Sequence, residues 1–252
     1  MARYDFTTRR LFVEAPLLAG ARIALPPPAA HYLRNVLRLS DGAGLLVFNG
    51  RDGEWQASLA SAGKKQTMLE VCALARAQEP PADLHYLFAP LKHARLDYMV
   101  QKAVEMGAGR LQPVLTQHTH AERLNLERMR ANVIEAAEQC GILAVPEVAE
   151  PVKLASLVAA WPAERLLVFC DEDAETRDPL AALSAVAPPS ALALLIGPEG
   201  GFDANERAAL LALPQVVRLS LGPRILRADT AAVAALALVQ AAWGDWRGLN
   251  EG

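Results

Sequence analysis

Apolar and polar positions follow two different rhythms along this 252-residue chain. Up to about residue 75 the apolar runs are short and spaced by turn formers, a pattern that predicts a β-rich unit. Its strands are expected at Leu11–Val13, Arg22–Ala24, Gly44–Phe48, Trp55–Leu59 and Met68–Leu74, with turns at Asp41-Gly42, Asn49-Gly50 and Asp52-Gly53. One helix interrupts them, with Leu33, Val36 and Leu37 at helical spacing and Arg34 and Arg38 on another face. The Arg76–Asp83 stretch, holding Pro80-Pro81, is a linker.

From Leu84 the rhythm becomes strands alternating with helices. Strands are predicted at Leu84–Ala89, Leu111–Thr116, Arg165–Cys170, Ala191–Ile196 and Val216–Leu221. Helices are predicted at Arg95–Met106, Leu126–Cys140, Asp203–Leu213 and Thr230–Trp243. The 165–170 and 191–196 runs are apolar without interruption, as in strands buried on both faces of a parallel sheet. The expectation is an α/β domain over 76–252 preceded by a small β domain over 1–75.

Composition adds limits. Hydrophobic residues make up 52% and charged residues 21%, a globular balance. Met1–Asp5 is polar, so no secretory leader is expected, and the longest apolar stretch, Ala231–Trp243, is too short to span a bilayer. Cys72, Cys140 and Cys170 form no C-x-x-C pair; reduced thiols in a cytoplasmic protein are expected, with no membrane partner and no metal. The net charge of −3 excludes a globally basic nucleic-acid binder. Residues 1–75 carry nine Lys/Arg against six Asp/Glu, a local +3, so polyanion contact would centre there.

The chemistry concentrates after two late strands. Ile196 leads into Gly197-Pro198-Glu199-Gly200-Gly201-Phe202, with Asp203 placed to cap a helix. Leu221 leads into Gly222-Pro223-Arg224-Ile225-Leu226-Arg227-Ala228-Asp229-Thr230, where Asp229 or Thr230 would cap the last helix. Glycines let a ligand lie against main-chain amides and carbonyls, and such loops close the crevice at the carboxyl ends of parallel strands. A lone loop of this kind is often only a turn; two are harder to explain so. Neither G-x-G-x-x-G nor G-x-x-x-x-G-K-[ST] occurs, which disfavours dinucleotide and P-loop enzymes.

These loops, Leu195–Phe202 and Leu219–Arg227, resemble the two cofactor motifs of the SPOUT methyltransferases. More narrowly, they are similar to the family that methylates N3 of uridine 1498 in 16S ribosomal RNA. Arg10-Leu11-Phe12-Val13 and the run His31–Arg38 resemble that family's PUA-like RNA-binding β-barrel domain. Asp97–Gly107 and Ile134–Gly141 resemble its first two catalytic-domain helices. The resemblance implies an α/β trefoil-knot domain, S-adenosylmethionine as cofactor, 16S rRNA or the small ribosomal subunit as partner, and a homodimer. It implies cofactor contacts at Ile196, Gly197, Pro198, Gly200, Leu221, Gly222, Ile225 and Leu226, largely through backbone.

Uracil N3–H is a weak acid, so the enzyme must take its proton or stabilise the anion. Arg227 would neutralise charge near O2 or O4. Arg10 would hold a phosphate or the base, with Arg9, Arg34 and Arg38 as further RNA contacts. Glu199 and Asp229 are the candidate general bases, each with a competing role as a cap or an arginine partner. Lys92 and Arg95 open a helix where phosphate could approach, although a solvated face is as good a reading.

Three positions depart from the family pattern: Asp229 where Glu is usual, and His118 and Ile142 where Arg is common. His118 and His120 could face one way on a strand, but without a third ligand two exposed or hydrogen-bonded histidines are expected. Lys64-Lys65 is expected to be a solvated turn, and Trp55, Trp161, Trp243 and Trp246 core or interface aromatics. Other readings are a SPOUT enzyme for another RNA site and a non-catalytic ribosome-assembly protein.

Overall fold

A computed structural model describes residues 7–63, 66–119 and 124–248; Met1–Asp5, Lys64-Lys65 and His120 lie outside the described residues. The chain forms two compact units, one of residues 1–81 with Ile134–Val145, the other of residues 82–133 with 146–252.

The first unit is a mixed five-stranded sheet. Its strands are β1 (Arg10–Phe12), β2 (Arg22–Ala24), β3 (Gly44–Phe48), β4 (Glu54–Ala62) and β5 (Gln66–Arg76), in the order β1-β3-β4-β5-β2. Only β1 and β3 run parallel. Inward alternation buries Leu45, Val47, Leu59, Leu69 and Val71 together with Leu33. The β3–β4 turn is built as its residues suggest: Asn49 Oδ1 accepts from the amides of Arg51 and Asp52, and Gly50 and Gly53 sit at φ 80° and 84°.

The expected amphipathic helix is shorter and wider than its spacing suggests. Helix α1 (Pro27–His31) starts on proline at its first turn, and the chain then widens into a π turn over Tyr32–Val36. Arg38, at φ 54°, ends it in the left-handed region. Arg34 and Arg38 therefore do not share a helical face. Arg34 turns onto Leu39 O, Asp41 and Ser61, while Arg38 stands exposed.

Segment 134–145 is fastened to this sheet by polar contacts. Phe12 N donates to Glu138 Oε1 at 2.8 Å and Arg76 Nη2 to Gly141 O at 2.8 Å. Arg10 Nε and Arg76 Nε each donate at 2.8 Å to Glu54, whose side chain is 3% exposed. A carboxylate so buried is tolerable only with such partners. Burial pushes the Glu138 carboxyl up, against the opposing pull of the Phe12 amide.

The second unit is a seven-stranded sheet with helices. It contains β6 (Leu84–Phe88), α2 (His93–Glu105), β7 (Arg110–Leu115), the start of α3 (Leu126–Cys140), β8 (Glu147–Val148), β9 (Val152–Lys153) and α4 (Leu154–Ala159). Then follow β10 (Leu166–Cys170), α5 (Pro179–Ser184), β11 (Leu192–Ile196), α6 (Ala204–Leu211), β12 (Val216–Leu219) and α7 (Ala228–Trp243). The order is β12-β10-β11-β6-β7-β8, with β9 also on β7, and every pairing is parallel. All five residues of β11 are buried, as its unbroken apolar run requires. Helix α7 returns from the β12 edge to pack on α2, α5 and β11. Its buried Gln240 donates to Met106 O at 2.7 Å, tying α7 to the end of α2.

Candidate active site

The first glycine loop leaves β11 between two side chains that fix its path. Gly201 N donates to Pro198 O at 2.9 Å, closing a tight turn with Gly201 at φ 70°. Phe202 then packs edge-on against Phe169, centroids 5.3 Å apart. A Cβ at Gly197 would lie 2.5 Å from that Phe202 ring. On the other side, His118 Nδ1 lies 3.1 Å from Gly201 O, and a Cβ at Gly200 would come within 3.1 Å of the histidine Cβ. Asp203 caps α6 as expected, in a reciprocal capping box with Glu206.

The second loop starts earlier than expected, because β12 ends at Leu219 and Ser220 is already buried off the strand. Gly222 sits at φ 94° with nothing within 4 Å of where a Cβ would be. Ile225 is fully exposed, and Leu226 is half-buried. The capping expectation fails here. Helix α7 begins at Ala228, so Arg227 takes the N-cap position, without a side-chain cap bond. Asp229 lies in the first turn instead, where its Oδ1 accepts from Thr230 N at 3.0 Å and its charge meets the positive helix end.

A cleft of about 420 Å³ opens within this unit, lined by Pro90, Leu91, Lys92, Arg95, His118, Pro198, Glu199 and Arg227. It joins the ends of β6, β7 and β11 to the start of α7, the crevice expected of parallel sheets. Arg95 Nη1 pairs with Glu199 Oε1 at 3.0 Å, so the acid is matched and Lys92 and Arg227 leave the cleft cationic. Lys92, Arg95, Pro198, Glu199 and Arg227 are thus brought together. His118, read in the sequence only as a departure and a failed metal ligand, joins them. The remaining basic candidates belong to the first unit. Arg9 is exposed there, whereas the Arg10 side chain is 4% exposed and bound to Glu54.

A second polar knot holds the strand ends. Asp171, after β10, accepts from Arg207 of α6 at 2.9 Å and from Arg218 of β12 at 2.7 Å. Burial alone would raise this carboxyl, but the arginine hydrogen bonds outweigh it and hold it below the usual range. Burial pushes the neighbouring Cys170 thiol far up, out of reactive reach. Tyr86 Oη is buried with no hydrogen-bond partner among the described residues. Burial raises its pKa, with Cys170 and Asp229 adding to the shift.

S-adenosylmethionine has an adenine face, a charged methionine end and a sulfonium. The loops fit it: the open space at Gly222 leaves backbone approachable, and Ile225 offers uncovered apolar surface. Among the described residues no three His, Cys, Asp or Glu side chains gather as a metal site.

Comparison with known proteins places these features. An RNA methyltransferase domain model matches residues 78–240, and an RNA methyltransferase PUA domain model matches residues 25–72. The chain is 33% identical over 236 residues to ribosomal RNA small subunit methyltransferase E of Synechocystis, covering 92% of this chain and 77% of that protein. A methyltransferase from Legionella pneumophila, solved with bound cofactor SAM, is 31% identical with a TM-score of 0.82, covering 94% of this chain and 99% of that one. Ribosomal RNA small subunit methyltransferase E from Neisseria gonorrhoeae, solved with S-adenosyl methionine, is 27% identical with a TM-score of 0.84, covering 95% and 99%. The mixed-sheet unit and the parallel α/β unit match this SPOUT trefoil-knot architecture with its PUA-like first domain.

Proposed function

We propose an activity for a chain that belongs to the RNA methyltransferase family: it moves the methyl group of S-adenosylmethionine to N3 of one uridine of small-subunit ribosomal RNA. What carries the reading is the joining of two backbone-lined loops to a cationic cleft, in a chain whose full-length relatives are solved with that cofactor. The cofactor supplies an electrophilic methyl group. Gly197, Pro198, Gly200, Leu221, Gly222, Ile225 and Leu226, with Ile196 behind them, would hold it.

The cleft residues do the rest. Arg227 and Lys92 stabilise negative charge as uracil loses its N3 proton. Glu199, bound to Arg95, positions that arginine and is poorly placed to serve as the base. Residues 1–75 are assigned the PUA-like RNA-binding role and residues 76–252 the methyl transfer, with exposed Arg9 and Arg38 as the RNA contacts of the first. The homodimer implied by the family has support in uncovered apolar side chains on the second unit, Tyr98 at 45% exposure and Ile225. No helix among the described residues is long and apolar enough to cross a membrane, and the work is assigned to the cytoplasm, where ribosomes are assembled.

The test is mass spectrometry of 16S rRNA from cells with and without the gene, followed by restoration with purified protein and S-adenosylmethionine. One 3-methyluridine that disappears and returns is expected. An unchanged 16S rRNA, or a methyl group on a ribose or on tRNA, would overturn the reading.

A further inference from the structure

We infer that His118 is the general base that takes the N3 proton of the substrate uracil, an inference that rests on the methyltransferase reading above. Its ring lines the cleft beside Lys92, Arg95, Glu199 and Arg227, the groups that would surround the base. The backbone decides which nitrogen is available. Gly201 O, 3.1 Å from Nδ1, can only accept a hydrogen bond, so Nδ1 carries the proton and the lone pair of the neutral ring sits on Nε2. The contact also fixes the ring's orientation, and a Cβ added at Gly200 would come within 3.1 Å of the histidine Cβ, so the side chain stands directly against the loop. A base held by a third group in one tautomer is the arrangement proton transfer requires.

Three carboxylates of the cleft and its rim are otherwise engaged. Glu199 is paired with Arg95, Glu206 accepts from the amide of Gln117 and caps α6, and Asp229 accepts from the amide of Thr230 at the helix end. In the step itself, Nε2 takes the N3 proton as Lys92 and Arg227 offset the charge spreading to O2 and O4. The electron pair left on N3 forms the new bond to the methyl carbon, the carbon–sulfur bond of the donor breaks with its pair on neutral sulfur, and the proton leaves Nε2 for water. Charge and atoms balance without a further reactant.

The informative substitution is His118→Asn, because the asparagine amide nitrogen stands at the same bond distance from Cα as Nδ1 and can still donate to Gly201 O. Expected are unchanged S-adenosylmethionine affinity by calorimetry and a methylation rate at pH 7 lowered about 10²-fold or more. The variant's rate should climb steadily with pH where the parent's levels off. His118→Ala should lose cofactor affinity as well, since the loop contact goes with the base. Nitrogen-15 NMR of the parent should find Nδ1 protonated and Nε2 bare. A His118→Asn enzyme within threefold of the parent, with its pH profile kept, would overturn the assignment, as would a proton on Nε2 in the neutral ring. A parent protein that leaves all rRNA unmethylated would instead defeat the methyltransferase reading itself.

Discussion

At position 197 a hydrogen atom in place of a methyl group sets the course of the first loop. The ring of Phe202 occupies the space a Cβ would need, and Phe169 backs that ring, so neither can yield cheaply. Gly197→Ala should therefore displace the loop and weaken S-adenosylmethionine binding by about 10-fold or more, roughly 1.4 kcal/mol. Titration calorimetry checks this, and unchanged affinity would show that the loop path does not govern the site. At this scale the sequence is legible where a residue type has one physical use. Glycines in a strand-to-helix loop are such a case, and so is Asp203 with Glu206 three residues on. It is not legible where the partner is far along the chain. The His118–Gly201 contact spans 83 positions, and nothing in the run Thr116–Thr119 marks the histidine as a member of the site. The pairing of Arg10 is hidden for the same reason, since its buried partner Glu54 lies 44 residues away.

Among elements, Asp171 joins β10, β12 and α6 through ion pairs with two arginines. Asp171→Asn keeps the shape but removes the ion-pair partner of those guanidinium groups, about 70% covered by protein. The expected loss is about 2 kcal/mol at pH 7, less than for a fully buried pair because water reaches both arginines. For a unit of this size that is a fall in Tm of about 5 °C. The folded carboxyl titrates below its unfolded value, so its stabilisation is complete above the unfolded range near pH 4. It fades as pH falls through the folded value. The gap between parent and variant should therefore close in acid; a gap constant from pH 7 to pH 3 would refute the ion-pair account. The long elements were legible because period and burial agree: α3 and the buried strands β10 and β11 are found within a residue of expectation. The short ones were not. β8 and β9 have two residues each, too few to show alternation, and their pairing to β7 is decided by the sheet. Helix α5 did carry a start signal, Asp178 capping with Pro179 at its first position, but only six residues follow it.

At the scale of the whole molecule, the change of rhythm near residue 80 marks where one unit gives way to the next. What the rhythm could not disclose is that residues 134–145 belong with the first unit, because α3 reads as one uninterrupted amphipathic helix. The polar fastenings that return it, Phe12 to Glu138 and Arg76 to Gly141, join single residues with no periodicity. A fragment ending at Pro81 should accordingly fold poorly, with a Tm at least about 10 °C below that of the first unit in the full chain, since it loses these contacts and the cover they provide. Fusing residues 134–145 to it through a flexible linker should recover most of the difference, as followed by circular dichroism. Equal stability of the two fragments would mean the segment is only a passenger.

The same segment has a consequence for how the protein is made. Translation delivers the five strands first and their last piece only after residues 82–133 have emerged, a delay of several seconds at roughly 5–20 residues per second. During that interval the nascent sheet lacks the Glu138 and Gly141 contacts. Its completion is thus timed by elongation, and a pause at codons for residues 82–133 would lengthen its exposure to proteases without altering a single amino acid of the finished enzyme.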